Sequence, residues 1–558
     1  MNRLTRNSRY SLVAVAACLL FLIAGWQFLA RLGIQNDEAL FANGIYKPYA
    51  VAYVYQIGHS RLPLMLMSYL GTVKSWVYRP IFQVFGAGVE AMRAPMLLAG
   101  MASVWVFYLL LRRLAGERAA LVGCGLLATD SLYLLTVCFD WGPVAIQHLL
   151  LISGMYFLVR FYQERTQGSL AAGCFLLGLG MWDKALAVWM LAGLGVAALV
   201  IVPRPIFRLF TVRRVGVAVL AFGLGALPLI IYNVANQGVT FRGNTTWDTS
   251  DLAGKARLMR GTAEGSALFG WLNFEDWQTK QPHRPHGALE SATAGISAID
   301  SHVRHGLLFY AFLLALLLTP LARGNALRAI LFALLAMIVA WVQMAVTANA
   351  GGSVHHAILI WPLPQMVIAI SFAAASRRLG TAGITALAAA LAVMMIAGLL
   401  VTNEYFCLIV RNGGSQNWTD AIFRLSDYLK TQSPGNVYCV DWGMTDSLRL
   451  LSRGRLPLRV GTDPITKQAL DDKDRELLEK MITSPGNLFI NHTGDFEFFK
   501  GVNDKLVNYA ADAGYRRDVL TVIADSNGRP VYEVYHFYRP GVQFRPQAEP
   551  RPERPAER

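Results

Sequence analysis

The chain has 558 residues, 54% of them apolar and only 16% charged, and a formal net charge of +15. A soluble protein of this length would carry more charge, and here the apolar residues fall into repeated blocks of about 17–22, each long enough to cross a bilayer core of about 30 Å. That excludes a globular enzyme with one core and implies a polytopic α-helical membrane protein; the basic excess is largely Arg at the ends of apolar runs, with no basic patch interleaved with aromatics, so nucleic acid is not an expected partner.

Eleven spans are predicted, roughly over 12–30, 94–111, 119–137, 143–159, 170–181, 185–202, 215–231, 306–321, 329–346, 357–372 and 384–401. The run after Arg3, Arg6 and Arg9 is too long for a signal peptide and has no clear small-x-small cleavage site, so it is read as a retained anchor. The short loops that follow carry Arg112, Arg113, Arg118, Arg160, Arg165, Arg204, Arg208, Arg213, Arg214, Arg323, Arg328, Arg377 and Arg378 against Glu117 and Glu164. All agree with a cytoplasmic N-terminus and an external C-terminal region. The fifth run reaches only about 18 Å as a helix and breaks at Trp182-Asp183-Lys184. Charges at that depth either line a functional pocket or cap a short helical hairpin.

The expected division is 1–401 as the membrane module, 402–544 as an extracytoplasmic α/β domain and 545–558 as a disordered Pro-, Arg- and Glu-rich tail. Two long external segments interrupt the spans. In 33–93, the stretch 62–85 mixes Leu, Met, Trp, Tyr and Phe with Lys74 and Arg79 and is expected to form helices lying in the membrane interface. The segment 232–305 is long enough to be a lid or binding loop. In the C-terminal region, strands are predicted over 436–441 and 487–491, a helix over 445–451, and a hairpin over 519–538 turning at Asn527-Gly528. Of six cysteines only Cys407 and Cys439 fall in this expected exported region, and a bridge between them is an open option.

Asn36-Asp37-Glu38 follows the first span, where a membrane helix should meet water. A carboxylate at the mouth of a cavity can take a proton from an incoming hydroxyl. Adjacent helical residues do not share a face, so Asp37 and Glu38 would have different tasks, or else be two solvated acids after a helix end. His59, Arg61, Lys74 and Arg93 supply cations in the same external segment or at its end. Arg93 could grip a phosphate through two parallel hydrogen bonds or anchor a lipid headgroup. Asp140 follows the third span and opens on the same side, as a pocket residue or as the cap of the next helix with Pro143 in its first turn. His355-His356 begins the tenth span on that side, but adjacent histidines do not readily chelate one metal, and His283-Arg284-Pro285-His286 is no stronger.

These residues together resemble the polyprenyl-phosphate-sugar-dependent glycosyltransferases of the multi-span GT-C fold, in particular the protein O-mannosyltransferase-like family 39 and its bacterial relatives that include aminoarabinose transferases acting on lipid A. The resemblance runs over roughly 12–401 and is carried by Asn36-Asp37-Glu38, Met92-Arg93-Ala94-Pro95, Asp140, and Gly178-Leu179-Gly180-Met181-Trp182-Asp183-Lys184. The family's His-Pro-Pro-Leu has its nearest counterpart in His59-Ser60-Arg61-Leu62-Pro63-Leu64, without the double proline. The resemblance implies inverting transfer of a sugar from a polyprenyl-phosphate donor to an acceptor hydroxyl on a glycolipid, polysaccharide or protein. Asp37 would be the general base, and Glu38 would orient the donor or a neighbouring cation. Arg93, with Lys184, Arg61 and His59, would hold the departing phosphate; Asp140 and His355 would line the pocket. The donor is already activated, so neither ATP nor another cofactor is expected; no Walker A sequence occurs, and no metal site is predicted. The expected compartment is a bacterial inner membrane. A secondary transporter would account for the broken fifth span but not for the odd span number, the lack of paired repeats and the large outer domain. A non-catalytic scaffold would leave the acid pair incidental.

Overall fold

The computed structural model describes residues 2–47, 50–244, 246–467 and 469–541, with side chains from residue 9 onward. The expected tail, 545–558, lies outside the described residues. Each predicted apolar run is helical over most of its length. Among the described residues, six helices are long and apolar enough to cross a bilayer: Arg9–Trp26, Val89–Ala115, Ala145–Glu164, Asn325–Val346, Val354–Arg378 and Gly380–Asn412. Two bent pairs, Glu117–Ala128 with Ser131–Cys138 (58°) and Val212–Gly225 with Leu227–Ala235 (73°), bring that number to eight by length and composition. Both bends have local causes. Asp130 caps the second half of one by accepting from the Tyr133 N–H at 3.0 Å, and Pro228 opens the second half of the other. The remaining predicted runs fall on the shorter helices Gln167–Asp183, Ala187–Ile201 and Leu308–Leu318.

Small residues let these helices approach closely. Gln167–Asp183 lies against Val212–Gly225 at a reciprocal glycine contact: a Cβ on Gly178 would run into the Phe222 carbonyl, and one on Gly225 into the Phe175 carbonyl.

The segment after the first span departs from expectation. Helix is confined to the second half of 62–85, at Val73–Phe85. The first half belongs to an antiparallel sheet of β1 (Tyr53–Ile57), β2 (Ser60–Met67) and β3 (Leu70–Gly71). A two-residue turn at Gly58-His59, with Gly58 at φ +57°, closes the first hairpin. Pro63 lacks the N–H that a helix interior requires but is tolerated in a strand pair. β3 reaches the break after Gln167–Asp183, where Leu70 and Lys184 form an isolated antiparallel bridge and the Ala185 N–H donates to the Tyr69 carbonyl at 2.9 Å. Gly71 permits this, since a Cβ there would strike the Trp182 carbonyl.

The C-terminal unit is α/β. Its sheet joins β4 (Val437–Cys439), β5 (Leu458–Val460), β6 (Leu488–His492), β7 (Arg516–Ala524) and β8 (Pro530–Tyr538) in the order β5-β4-β6-β8-β7. β5, β4 and β6 are parallel, and β8 is antiparallel to β6 and β7. Alternation along the strands builds two cores. Val437, Cys439, Leu488 and Ile490 meet Leu425, Leu429 and Leu448 on one face; Tyr438 and Phe489 meet Leu478, Leu506 and Tyr535 on the other. The option of a Cys407–Cys439 bridge is not realised: Cys407 rides on the continuous helix Gly380–Asn412, Cys439 is buried in β4, and all six cysteines are free thiols.

Replacing Gly178 with Val should loosen the helix pair by about 1–3 kcal/mol, the usual cost of overpacking. The apparent melting temperature of the detergent-solubilised protein should fall clearly. Gly195→Ala, at a position where a Cβ meets open space, should leave it unchanged.

Candidate active site

The site begins where the first span ends. The chain turns through residues 27–35 and enters the short helix Asn36–Ala39, which Gln35 caps by accepting from the Asp37 and Glu38 N–H groups at 2.6 and 3.0 Å. The two acids then part. Glu38 points into the protein and is 1% exposed, whereas Asp37 is exposed.

Arg93 meets Glu38 in the interior. Nε donates to Oε1 at 2.7 Å and Nη2 to Oε2 at 2.9 Å. The remaining donors go to the Leu29, Leu32 and Gly33 carbonyls at 2.7, 3.1 and 2.7 Å, and the guanidinium lies over the Phe139 ring. A guanidinium has five N–H groups, and all five are engaged. This corrects the expected role of Arg93 as phosphate ligand: it is buried and ties the end of the first span to the second. The same geometry occupies both oxygens of Glu38, which orients Arg93 and not a donor sugar. Burial pushes the Glu38 carboxyl up, opposed chiefly by the charge of Arg93.

His59 and Arg61 also fall elsewhere. His59 is in the β1–β2 turn and Arg61 is at the start of β2; both are exposed, and their side chains make no hydrogen bond or ion pair among the described residues. The two-residue turn that closes the hairpin is what carries them out to its tip.

The other predicted residues converge. Lys74, at the start of Val73–Phe85, is buried and pairs with Asp140 Oδ2 at 2.8 Å. It also donates to the Asp140 carbonyl at 3.0 Å. Asp140 Oδ1 accepts from the Val144 and Ala145 N–H groups at 2.6 and 3.1 Å, so it caps Ala145–Glu164 as well. Lys184 and His355 crowd over Gly142, where a Cβ would lie 3.3 Å from Lys184 Nζ and 2.8 Å from His355 Cδ2. His355 Nδ1 accepts from Trp141 Nε1 at 2.8 Å, which leaves the ring proton on Nε2. Asp183 is buried with neither carboxylate oxygen hydrogen-bonded among the described residues, and it feels the charges of Asp140, Lys74 and Lys184.

Two groups are left for chemistry. Lys184 is 3% exposed, yet its ammonium makes no ion pair or hydrogen bond among the described residues. Asp37 feels its charge across the site. The surroundings of Asp37 withdraw enough water to raise its carboxyl above the usual range, although the carboxylate itself stays accessible. The Gln35 amide opposes that rise, the charge of Asp446 adds to it, and Lys184 opposes it. Lys74 is the residue sequence reasoning undervalued. Its position in the external segment was visible, but its ion pair joins residues 66 apart in sequence.

Comparison with known proteins places the arrangement beside membrane glycosyltransferases by similarity. Residues 71–232, which include Lys74, Arg93, Asp140 and Lys184, match the family model of dolichyl-phosphate-mannose-protein mannosyltransferase. Over most of its length the chain is similar in fold to ArnT from Cupriavidus metallidurans. For ArnT bound to undecaprenyl phosphate, the TM-score is 0.57 at 13% identity over 94% of this chain and 97% of that one. For its apo state the TM-score is 0.58 at 13% identity, over 95% and 98%. The oligosaccharyltransferase of Archaeoglobus fulgidus in its apo form gives 0.52 at 12% identity, over 87% of this chain and 69% of that one. No curated protein matches. The chain therefore resembles the polyprenyl-phosphate-sugar glycosyltransferases, and its fold is the GT-C fold.

If Arg93 is a structural clamp, Arg93→Ala should cost about 3–5 kcal/mol, since it strands a buried carboxylate. The check is apparent melting temperature and yield of folded protein. Pairing it with Glu38→Gln should recover part of the loss. A phosphate ligand would show the reverse pattern, weaker donor affinity at unchanged stability.

Proposed function

We propose that this protein transfers a sugar from a polyprenyl-phosphate donor to a hydroxyl of an acceptor on the extracytoplasmic side of a bacterial inner membrane. The observation that carries the reading is the presence within one cluster of an accessible carboxylate, Asp37, and a buried ammonium, Lys184, that has no hydrogen-bond or ion-pair partner among the described residues. The other carboxylates do not combine access with freedom. Glu38 is held by Arg93, Asp140 by Lys74 and a helix N-terminus, and Asp183 is buried. The family match and the ArnT structure with undecaprenyl phosphate support the donor class.

In this reading the acceptor oxygen attacks the anomeric carbon as the bond to the phosphate oxygen breaks, inverting that centre. The acceptor proton passes to Asp37. The polyprenyl phosphate leaves with its electron pair, and Lys184 stabilises the charge developing on it, most strongly where water is excluded. Lys74 adds positive charge behind it, held by Asp140. Asp183 keeps Lys184 in place by charge, and His355 forms the wall beside it. The segment 232–305 and the C-terminal α/β unit would shape the acceptor side. The acceptor is a glycolipid, polysaccharide or protein.

The test is transfer of radiolabelled sugar from polyprenyl-phosphate donors to membrane extract. Asp37→Asn should reduce transfer by about 10²–10⁴-fold, the range for loss of a general base, with donor affinity retained. Lys184→Met should lower kcat and weaken donor affinity. Equal transfer by the wild type and Asp37→Asn would remove Asp37 from the mechanism. The pH profile has a definite sign as well. Only ionised Asp37 accepts a proton, so activity should rise with pH, and the midpoint of that rise should lie above the ordinary aspartate value of about 3.9.

A further inference from the structure

The C-terminal α/β unit touches the segment that carries Asp37 through one buried polar network. Asn36 is locked at two points by Asp446: its Nδ2 donates to Asp446 Oδ2 at 3.3 Å, and its Oδ1 accepts from the Asp446 N–H at 3.0 Å. Asn43, beyond the short helix, donates to Asp446 Oδ1 at 3.1 Å. Arg449 completes the set. It pairs with the same Oδ1 at 2.6 Å and donates to the side-chain amide oxygen Oδ1 of Asn43. Ser447 donates to the Ile34 carbonyl at 2.8 Å. Asn36, Asn43, Asp446 and Arg449 are all buried.

The network therefore grips residues 34, 36 and 43 on either side of Asp37 and leaves Asp37 outside it. Arg93 holds the same segment from the membrane side, through residues 29, 32, 33 and 38. A segment fixed from two directions has little freedom to turn the exposed side chain of Asp37. We propose that Asp446 is a positioning residue for Asp37, so that the α/β unit fixes the orientation of the base and places a second negative charge behind it. This rests on the reading of Asp37 as the base and extends it: a unit outside the spans becomes part of the catalytic apparatus. The electrostatic half has a consistent sign: burial raises the Asp37 carboxyl most, the Asp446 carboxylate adds to that rise, and Lys184 opposes it. Burial raises Asp446 itself, and its pairing with Arg449 counters that.

The experiment uses the full chain in detergent and reads Asp37 directly. Carbodiimide coupling to an amine, followed by mass spectrometry, labels an accessible carboxyl in its protonated form, so labelling against pH gives the Asp37 midpoint without a substrate. In Asp446→Asn the midpoint should fall by about half a pH unit, the sign expected when a like charge is removed. Glu38 should stay unlabelled, which shows that the segment remains folded. Asp446→Glu keeps the charge and should return the midpoint toward that of the wild type. In the transfer assay Asp446→Asn should lower kcat at least tenfold with donor KM unchanged, and the acid limb should move down with the labelling midpoint. An unmoved Asp37 midpoint would overturn the proposal. So would labelling of Glu38 together with Asp37 in Asp446→Asn, which would make Asp446 a strut and nothing more. The parent reading is judged separately: transfer that survives Asp37→Asn ends it whatever Asp446 does, whereas loss in Asp37→Asn with a silent Asp446→Asn ends this inference alone.

Discussion

A single buried guanidinium decides which carboxylate is available for chemistry. Arg93 takes both oxygens of Glu38 and three carbonyls at the end of the first span, and so uses every donor it has. Moving such a pair out of water carries a large desolvation cost, and the Coulomb attraction offsets it only with good geometry and full hydrogen bonding. Both conditions are met here. The consequence lies one residue away. Because neighbouring helical positions face apart, pinning Glu38 inward turns Asp37 outward, where it feels the charge of Lys184. The acid pair is thus one structural and one exposed group, and the difference is made by burial and not by residue type.

The same logic sorts the cations. Arg93 and Lys74 are both paired, one to Glu38 and the other to Asp140. Lys184 alone of the three lacks an ion pair among the described residues, and it is buried. A buried unpaired ammonium is unfavourable unless something compensates for it, and an incoming phosphate would do so. The position of Lys184 depends on backbone contacts more than on its own side chain: it sits in the break after Gln167–Asp183, bridged to Leu70, where Gly71 and Gly142 leave room for their neighbours.

Much of this was legible in the sequence because it is local. Hydropathy located the apolar helices, and alternation with turn residues located the strands near 436–441 and 487–491 and the hairpin at Asn527-Gly528. The position of Asp37 just past a span was enough to single it out. What could not be read was pairing. Nothing near Arg93 says that its donors will go to Leu29, Leu32, Gly33 and Glu38, and a lone Arg at a span end looks the same whether it binds phosphate, lipid or its own chain. His59 and Arg61 were singled out as cations of the external segment and by resemblance, and neither shows that a hairpin carries them away from the cluster. In the adjoining stretch 62–85 the apolar content suggested an interfacial helix, while Gly58 and Pro63, which set a hairpin there, weigh little in a count of apolar residues. Asp446 was out of reach altogether, since its partners Asn36 and Asn43 lie some 400 residues upstream.

The most direct measurement is a cryo-EM reconstruction of the full chain with added undecaprenyl phosphate. The account predicts density for the phosphate within hydrogen-bond reach of Lys184, with the Asp37 carboxylate facing it across an open space and the Arg93–Glu38 pair intact. A phosphate held by Arg93 with that pair broken, or bound at a place that Asp37 does not face, would contradict it.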